Sequence, residues 1–169
     1  MGHESILYGA ICGAAWKITD YHRLQLLNEA VIAALPPQDE WPFLTRQLFA
    51  LPGGTPQEGR YRSQLIHFGG TFKAIEWEWG PWLAKFEQLL SRLFWHEVYL
   101  HLRTEGTVGS WDYYYEALDA RECFFEQEPP LPATKWQFTG GPRHFNEQGL
   151  DGETFPQTWI YSAGIWSAG

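Results

Sequence analysis

Only two cysteines and one methionine occur in the 169 residues, and no apolar run approaches a membrane-spanning length. Crossing a bilayer as a helix takes about 20 consecutive apolar residues, so a membrane partner is not expected. Cys12 and Cys123 are too few for a disulfide framework and have no metal-ligand spacing. Basic residues are scarce, with 12 Lys or Arg against 20 Asp or Glu and a net charge of −8. That balance argues against a nucleic-acid partner, which would need a basic face to neutralise phosphates. The opening Met1-Gly2-His3-Glu4 has neither the basic start nor the apolar stretch of a secretory signal, and a cytoplasmic protein is expected.

Aromatic residues are abundant instead: ten Trp, eight Tyr and eleven Phe. Rings at this density can build a heavy core, and they are also the residues that anchor protein interfaces. With 44% apolar and 19% charged residues, the composition is that of a folded chain. Its length suits one domain over residues 1–169, read as a body over 1–128 and a C-terminal wrap over 129–169.

Periodicity supplies the elements. The apolar run Ile6–Ile11, closed by Gly13, predicts a strand. Tyr21, Leu24, Leu27, Val31 and Leu35 recur at helical spacing until Pro36-Pro37 stops them. A Pro- and Gly-rich connection over 36–60 follows, tacked down by Trp41 and Phe43. Tyr61–Phe72 alternates as a strand, with Ile66 and Phe68 inward and a bulge or turn expected at Gly69-Gly70. Trp79, Trp82, Leu83, Phe86, Leu89, Leu90 and Leu93 form one helical stripe, with Lys85, Glu87, Gln88 and Arg92 facing away.

Glu97–Thr104 predicts a strand with Val98, Leu100 and Leu102 inward and Tyr99, His101 and Arg103 outward. Trp111–Leu118 predicts its hairpin partner. The fold class expected is α+β: a mostly antiparallel sheet with two helices on one face and an irregular, aromatic-rich C-terminal wrap. The wrap, with short strands at Trp136–Phe138 and Thr158–Tyr161, is the candidate cover for the second sheet face.

Motifs that carry chemistry are missing. His96-Glu97 with His101 has the wrong offset for a zinc protease, since five residues turn the two rings about 140° apart on a helix. Neither Gly53-Gly54 nor Gly140-Gly141 continues as a phosphate loop, and there is no nucleophile elbow. Neither a cofactor nor a metal is expected. An enzymatic alternative is a small hydrolase using His67 or His101 with Glu97 or Glu116; a further alternative is a structural homodimer subunit joined through the tail.

Charge is concentrated in one stretch. Residues 105–128 hold seven acids and one arginine, among six aromatic rings. Rings with carboxylates suit a basic partner surface, the rings as desolvated anchors and the carboxylates as steering charges. The residues expected to carry such an interface are Asp112, Tyr114, Glu116 and Asp119, with Tyr99 and His101 beside them. Strand parity puts Asp112, Tyr114 and Glu116 on one face.

The chain also resembles the immunity proteins that bacteria pair with polymorphic or type VI secreted toxins. The runs Glu4–Ile11, Trp41-Pro42-Phe43-Leu44, Arg62–Gly69 and Trp82–Glu87 are similar to the fifty-second immunity family, over roughly residues 4–103. Such a resemblance implies a stoichiometric inhibitor of a cognate toxin domain, a nuclease above all, with no activity of its own.

Overall fold

The computed structural model describes residues 3–13, 21–51, 64–106, 108–118, 132–146, 150, 152–162 and 165–168. In chain order these form β1 (Glu4–Cys12), α1 (Tyr21–Ala33), a 3-10 turn (Arg46–Leu48), β2 (Phe49–Ala50), β3 (Leu65–Lys73), a second 3-10 turn (Ile75–Glu78) and α2 (Trp79–Leu90). Five more strands follow: β4 (Glu97–Thr104), β5 (Ser110–Ala117), β6 (Lys135–Gly140), β7 (Gln157–Ser162) and β8 (Ile165–Ala168). The fold is α+β. All eight strands join one sheet in the order β2-β3-β1-β4-β5-β6-β7-β8, and every pairing is antiparallel.

Alternation along the strands divides the sheet into two unlike faces. Leu7, Ile11, Ile66, Phe68, Val98, Leu100, Leu102, Tyr113, Tyr115, Trp136 and Phe138 share one face and one core with α2 and with Ile32 and Leu35 from the α1 side. No strand residue of the opposite parity belongs to that core. Rings dominate the packing. Trp79 lies parallel to Trp82 at 5.3 Å, Trp82 stacks on Phe86 at 5.2 Å, and Phe86 meets Phe68 at 5.0 Å.

Four details depart from the periodicity reading. The buried line of α1 runs through Leu24, Asn28 and Ile32, while Leu27 is 40% exposed. Asn28 is worth burying because its amide is satisfied. It donates to the Phe94 carbonyl at 3.0 Å and to Gln64 at 3.1 Å, and accepts from the Phe94 N–H at 2.8 Å. Glu87, expected to face solvent, is buried beside Arg143. Gly69 and Gly70 pair one-to-one with Tyr8 and Leu7, so β3 runs through them without a bulge. Finally, the segment after residue 131 is not a wrap over the second face: β6, β7 and β8 prolong the sheet beyond β5, sending Trp136, Phe138 and Trp166 toward the core side.

Within the described part of the long connection, residues 36–51, side-chain contacts add to the hold of the 3-10 turn and β2. Phe43 stacks on Phe72 at 4.9 Å. Asp39 accepts from Lys85 Nζ at 2.8 Å and from the Leu44 N–H at 3.0 Å, tying the connection to α2.

Gly9 marks the tightest point of the sheet centre. A Cβ there would collide with the Tyr99 carbonyl oxygen and lie 2.6 Å from the Phe68 ring. Gly9→Ala is therefore expected to lower stability by about 1–3 kcal/mol through overpacking. An unchanged denaturant midpoint for that variant would contradict the β3-β1-β4 order.

Candidate functional site

The face opposite the core carries the outward residues of β1, β4, β5 and β6. Register brings them together in cross-strand pairs: Tyr8 opposite His101, His101 opposite Asp112, Tyr99 opposite Tyr114, and Glu97 opposite Glu116. Neither helix lies on this face, because both pack on the core side. Tyr8 and Tyr99 are 53% and 51% exposed, high values for rings at the centre of an eight-stranded sheet.

The side chains there are linked. Glu97 is a hub whose carboxylate accepts from the Tyr99 hydroxyl at 2.5 Å and from the Tyr114 hydroxyl at 3.5 Å, and its other oxygen lies 3.0 Å from His96 Nε2. The bond to Glu97, with some burial, pushes the Tyr99 phenol up to about 12. That hydroxyl therefore keeps its proton, and its ring orientation, at any physiological pH. His101 Nδ1 sits 2.6 Å from Asp112 Oδ1, and the imidazole tilts against the Tyr8 ring at 5.0 Å. The Tyr99 and Tyr114 rings lie 5.1 Å apart.

Between the two ring pairs lies an open groove of about 480 Å³, with Thr139 and Pro156 at its β6 side. Its floor is backbone, from Gly9, Leu100, Tyr113 and Gly140.

Of the residues expected at an interface, the structure brings Tyr99, His101, Asp112, Tyr114 and Glu116 onto this one face. Asp119 lies outside the described residues, as do Glu122, Glu126 and Glu128 of the same acidic stretch. The strands' outer face is consequently mixed in charge. Glu97, Asp112 and Glu116 gather over β4 and β5, with Glu4 further off, against Lys73 and Arg103 at one end and Lys135 at the other.

Tyr8 was not legible as a site residue. Its parity followed from the strand pattern, but its position against His101 depends on β1 inserting between β3 and β4, which no local signal encodes.

The pairings supposed for a hydrolase are rearranged. The carboxylate on His101 is Asp112, while Glu116 sits four residues further along β5, about 13 Å away at strand spacing. His67 is on β3, with β1 between it and β4, so it stands about 10 Å from the Tyr99 backbone. Cys12 ends β1 opposite Glu97, and burial together with that carboxylate pushes its thiol up, which makes it a poor nucleophile. No group of three His, Cys, Asp or Glu side chains able to hold a metal occurs among the described residues.

A second polar cluster lies on the core side. Arg143 Nη2 is 2.6 Å from Glu87 Oε1, which also accepts from the Tyr115 hydroxyl at 2.9 Å. The guanidinium lies over the Phe138 ring at 4.8 Å and the Trp166 ring at 4.4 Å, two rings that meet edge-on. Burial raises the Glu87 carboxyl above its ordinary range even against the pull of Arg143. This cluster ties α2 to the C-terminal strands and is structural.

No family model, curated protein or solved structure matches the chain.

Proposed function

We propose that this protein is a non-catalytic immunity protein of the bacterial cytoplasm, which binds a cognate secreted toxin domain and occludes it through the outer sheet face. The observation that carries the reading is the pair of half-exposed rings, Tyr8 and Tyr99, held among Tyr114, Glu97 and Asp112. Rings give a partner large contact area at small entropic cost, and the Glu97 hydrogen bonds already order two of them. Carboxylates beside the rings suit a basic partner, and a nuclease domain, whose cleft receives phosphate, is the target class that fits. The resemblance of residues 4–103 to immunity proteins points the same way.

One observation favours a second reading. The face is concave at His101–Asp112, so a small hydrolase with His101 as base and Asp112 as its orienting carboxylate is the competitor. Titrating this chain into the toxin domain encoded by the neighbouring reading frame separates the two. The inhibitor reading expects nuclease activity to fall linearly to zero at one equivalent. Full activity in molar excess of this chain, or turnover of a small ester or amide by this chain alone, would overturn it.

A further inference from the structure

The groove on the outer face has walls of one kind and a charge of one sign. One wall is the Tyr8–His101 pair and the other the Tyr99–Tyr114 pair. The floor is bare backbone, so a side chain can descend to the sheet itself. Asp112 uses one oxygen on His101, and its other oxygen makes no hydrogen bond among the described residues. Its side chain is 89% exposed. Among the described residues no lysine or arginine lines the groove. The described lining is thus aromatic, with one carboxylate that keeps an oxygen available beyond its contact with His101.

The geometry points to a seat for one arginine side chain of the partner, its guanidinium stacked between the two ring pairs and donating to Asp112. This rests on the inhibitor reading above and names the group by which a basic partner is gripped. Three features select arginine. A planar guanidinium stacks on phenol and imidazole faces, whereas an ammonium meets them as a point charge. It also donates two parallel N–H bonds to a single carboxylate. Being weakly hydrated, it loses less on leaving water for an aromatic slot. An anionic ligand is disfavoured by Asp112. The volume of about 480 Å³ exceeds one guanidinium and leaves room for the flanking backbone of a partner loop.

The test titrates the full chain with Nα-acetyl-arginine amide and, separately, Nα-acetyl-lysine amide, reading tyrosine and histidine ring resonances by NMR. Arginine amide should shift the Tyr8, Tyr99, Tyr114 and His101 signals saturably, with a dissociation constant on the order of millimolar. Asp112→Asn should weaken it about tenfold and Tyr8→Ala about fivefold, with lysine amide weaker than arginine amide on the unaltered chain. Shifts that never saturate, that are equal for both amides, or that survive Asp112→Asn would overturn the seat. Undiminished toxin binding by an Asp112→Asn chain that no longer takes arginine amide would also overturn it as the grip, while leaving the inhibitor reading intact. Saturable, Asp112-dependent arginine binding without any toxin binding would uphold the seat and sink the inhibitor reading instead.

Discussion

Replacing Arg143 by methionine is expected to cost about 3–5 kcal/mol at neutral pH, because it strands a buried carboxylate without its cation. Glu87 is 8% exposed and shares one oxygen between Arg143 and the Tyr115 hydroxyl. Methionine keeps much of the packing against Phe138 and Trp166, so the loss reports charge rather than volume. Glu87→Gln in the same background should recover part of it, because a neutral amide is cheaper to bury than a lone carboxylate.

The pH dependence follows from the sign of the shift. Burial holds Glu87 above its ordinary range in the folded chain, so the native state favours the protonated form more than the unfolded state does. The contribution of this group to stability is complete below the unfolded pKa and is lost as pH rises through the folded one. Wild-type stability measured against Glu87→Gln should therefore decline across that window. In the Arg143→Met chain the folded value moves higher still, and the decline should extend to higher pH. Urea unfolding of the three chains from mildly acidic to mildly alkaline pH checks this, and a wild-type difference that rises with pH would contradict it.

Truncating Phe86 to alanine should cost a further large amount, about 3–5 kcal/mol. Its ring is fully buried, stacked on Trp82 at 5.2 Å and in contact with Phe68 at 5.0 Å and Tyr115 at 6.2 Å. It thus joins α2 to β3 and β5 at once, and the flat neighbouring rings cannot collapse into the space it leaves. The expected result is a large fall in denaturant midpoint. A midpoint shifted by less than about 1 kcal/mol in stability would remove the basis for this core.

Much of the architecture was legible because local period and burial agree wherever an element packs one face on the core. Glu97–Thr104 is a strand with the predicted bounds and the predicted inward set, and the α2 stripe from Trp79 to Leu90 is buried throughout. What was not legible depends on partners distant in sequence. Glu87 looked like a solvent residue because Arg143, which lets it be buried, is 56 residues away. The buried line of α1 was misplaced through Leu27 because the groups that let Asn28 be buried lie on Gln64 and Phe94. In the C-terminal segment the short strands at Trp136–Phe138 and Thr158–Tyr161 were legible, but β8 and the joining of all three strands to the sheet beyond β5 were not, because that depends on long-range pairing amid Pro- and Gly-rich residues. At the candidate site, parity alone placed Tyr99, His101, Asp112, Tyr114 and Glu116 on one face, whereas the contribution of Tyr8 required the strand order.

Whether the outer sheet face grips a basic toxin domain, as proposed, is read most plainly from association and dissociation with a toxin domain encoded beside this chain, at two salt concentrations. Wild-type association should slow as salt rises. Charge reversal of Asp112 and Glu116 should slow association at low salt and flatten that dependence. Tyr114→Ala should act mainly on dissociation, weakening binding by about 2 kcal/mol or more. Rates and affinity unchanged in all of these variants, with the toxin still bound, would place the interface away from the outer sheet face.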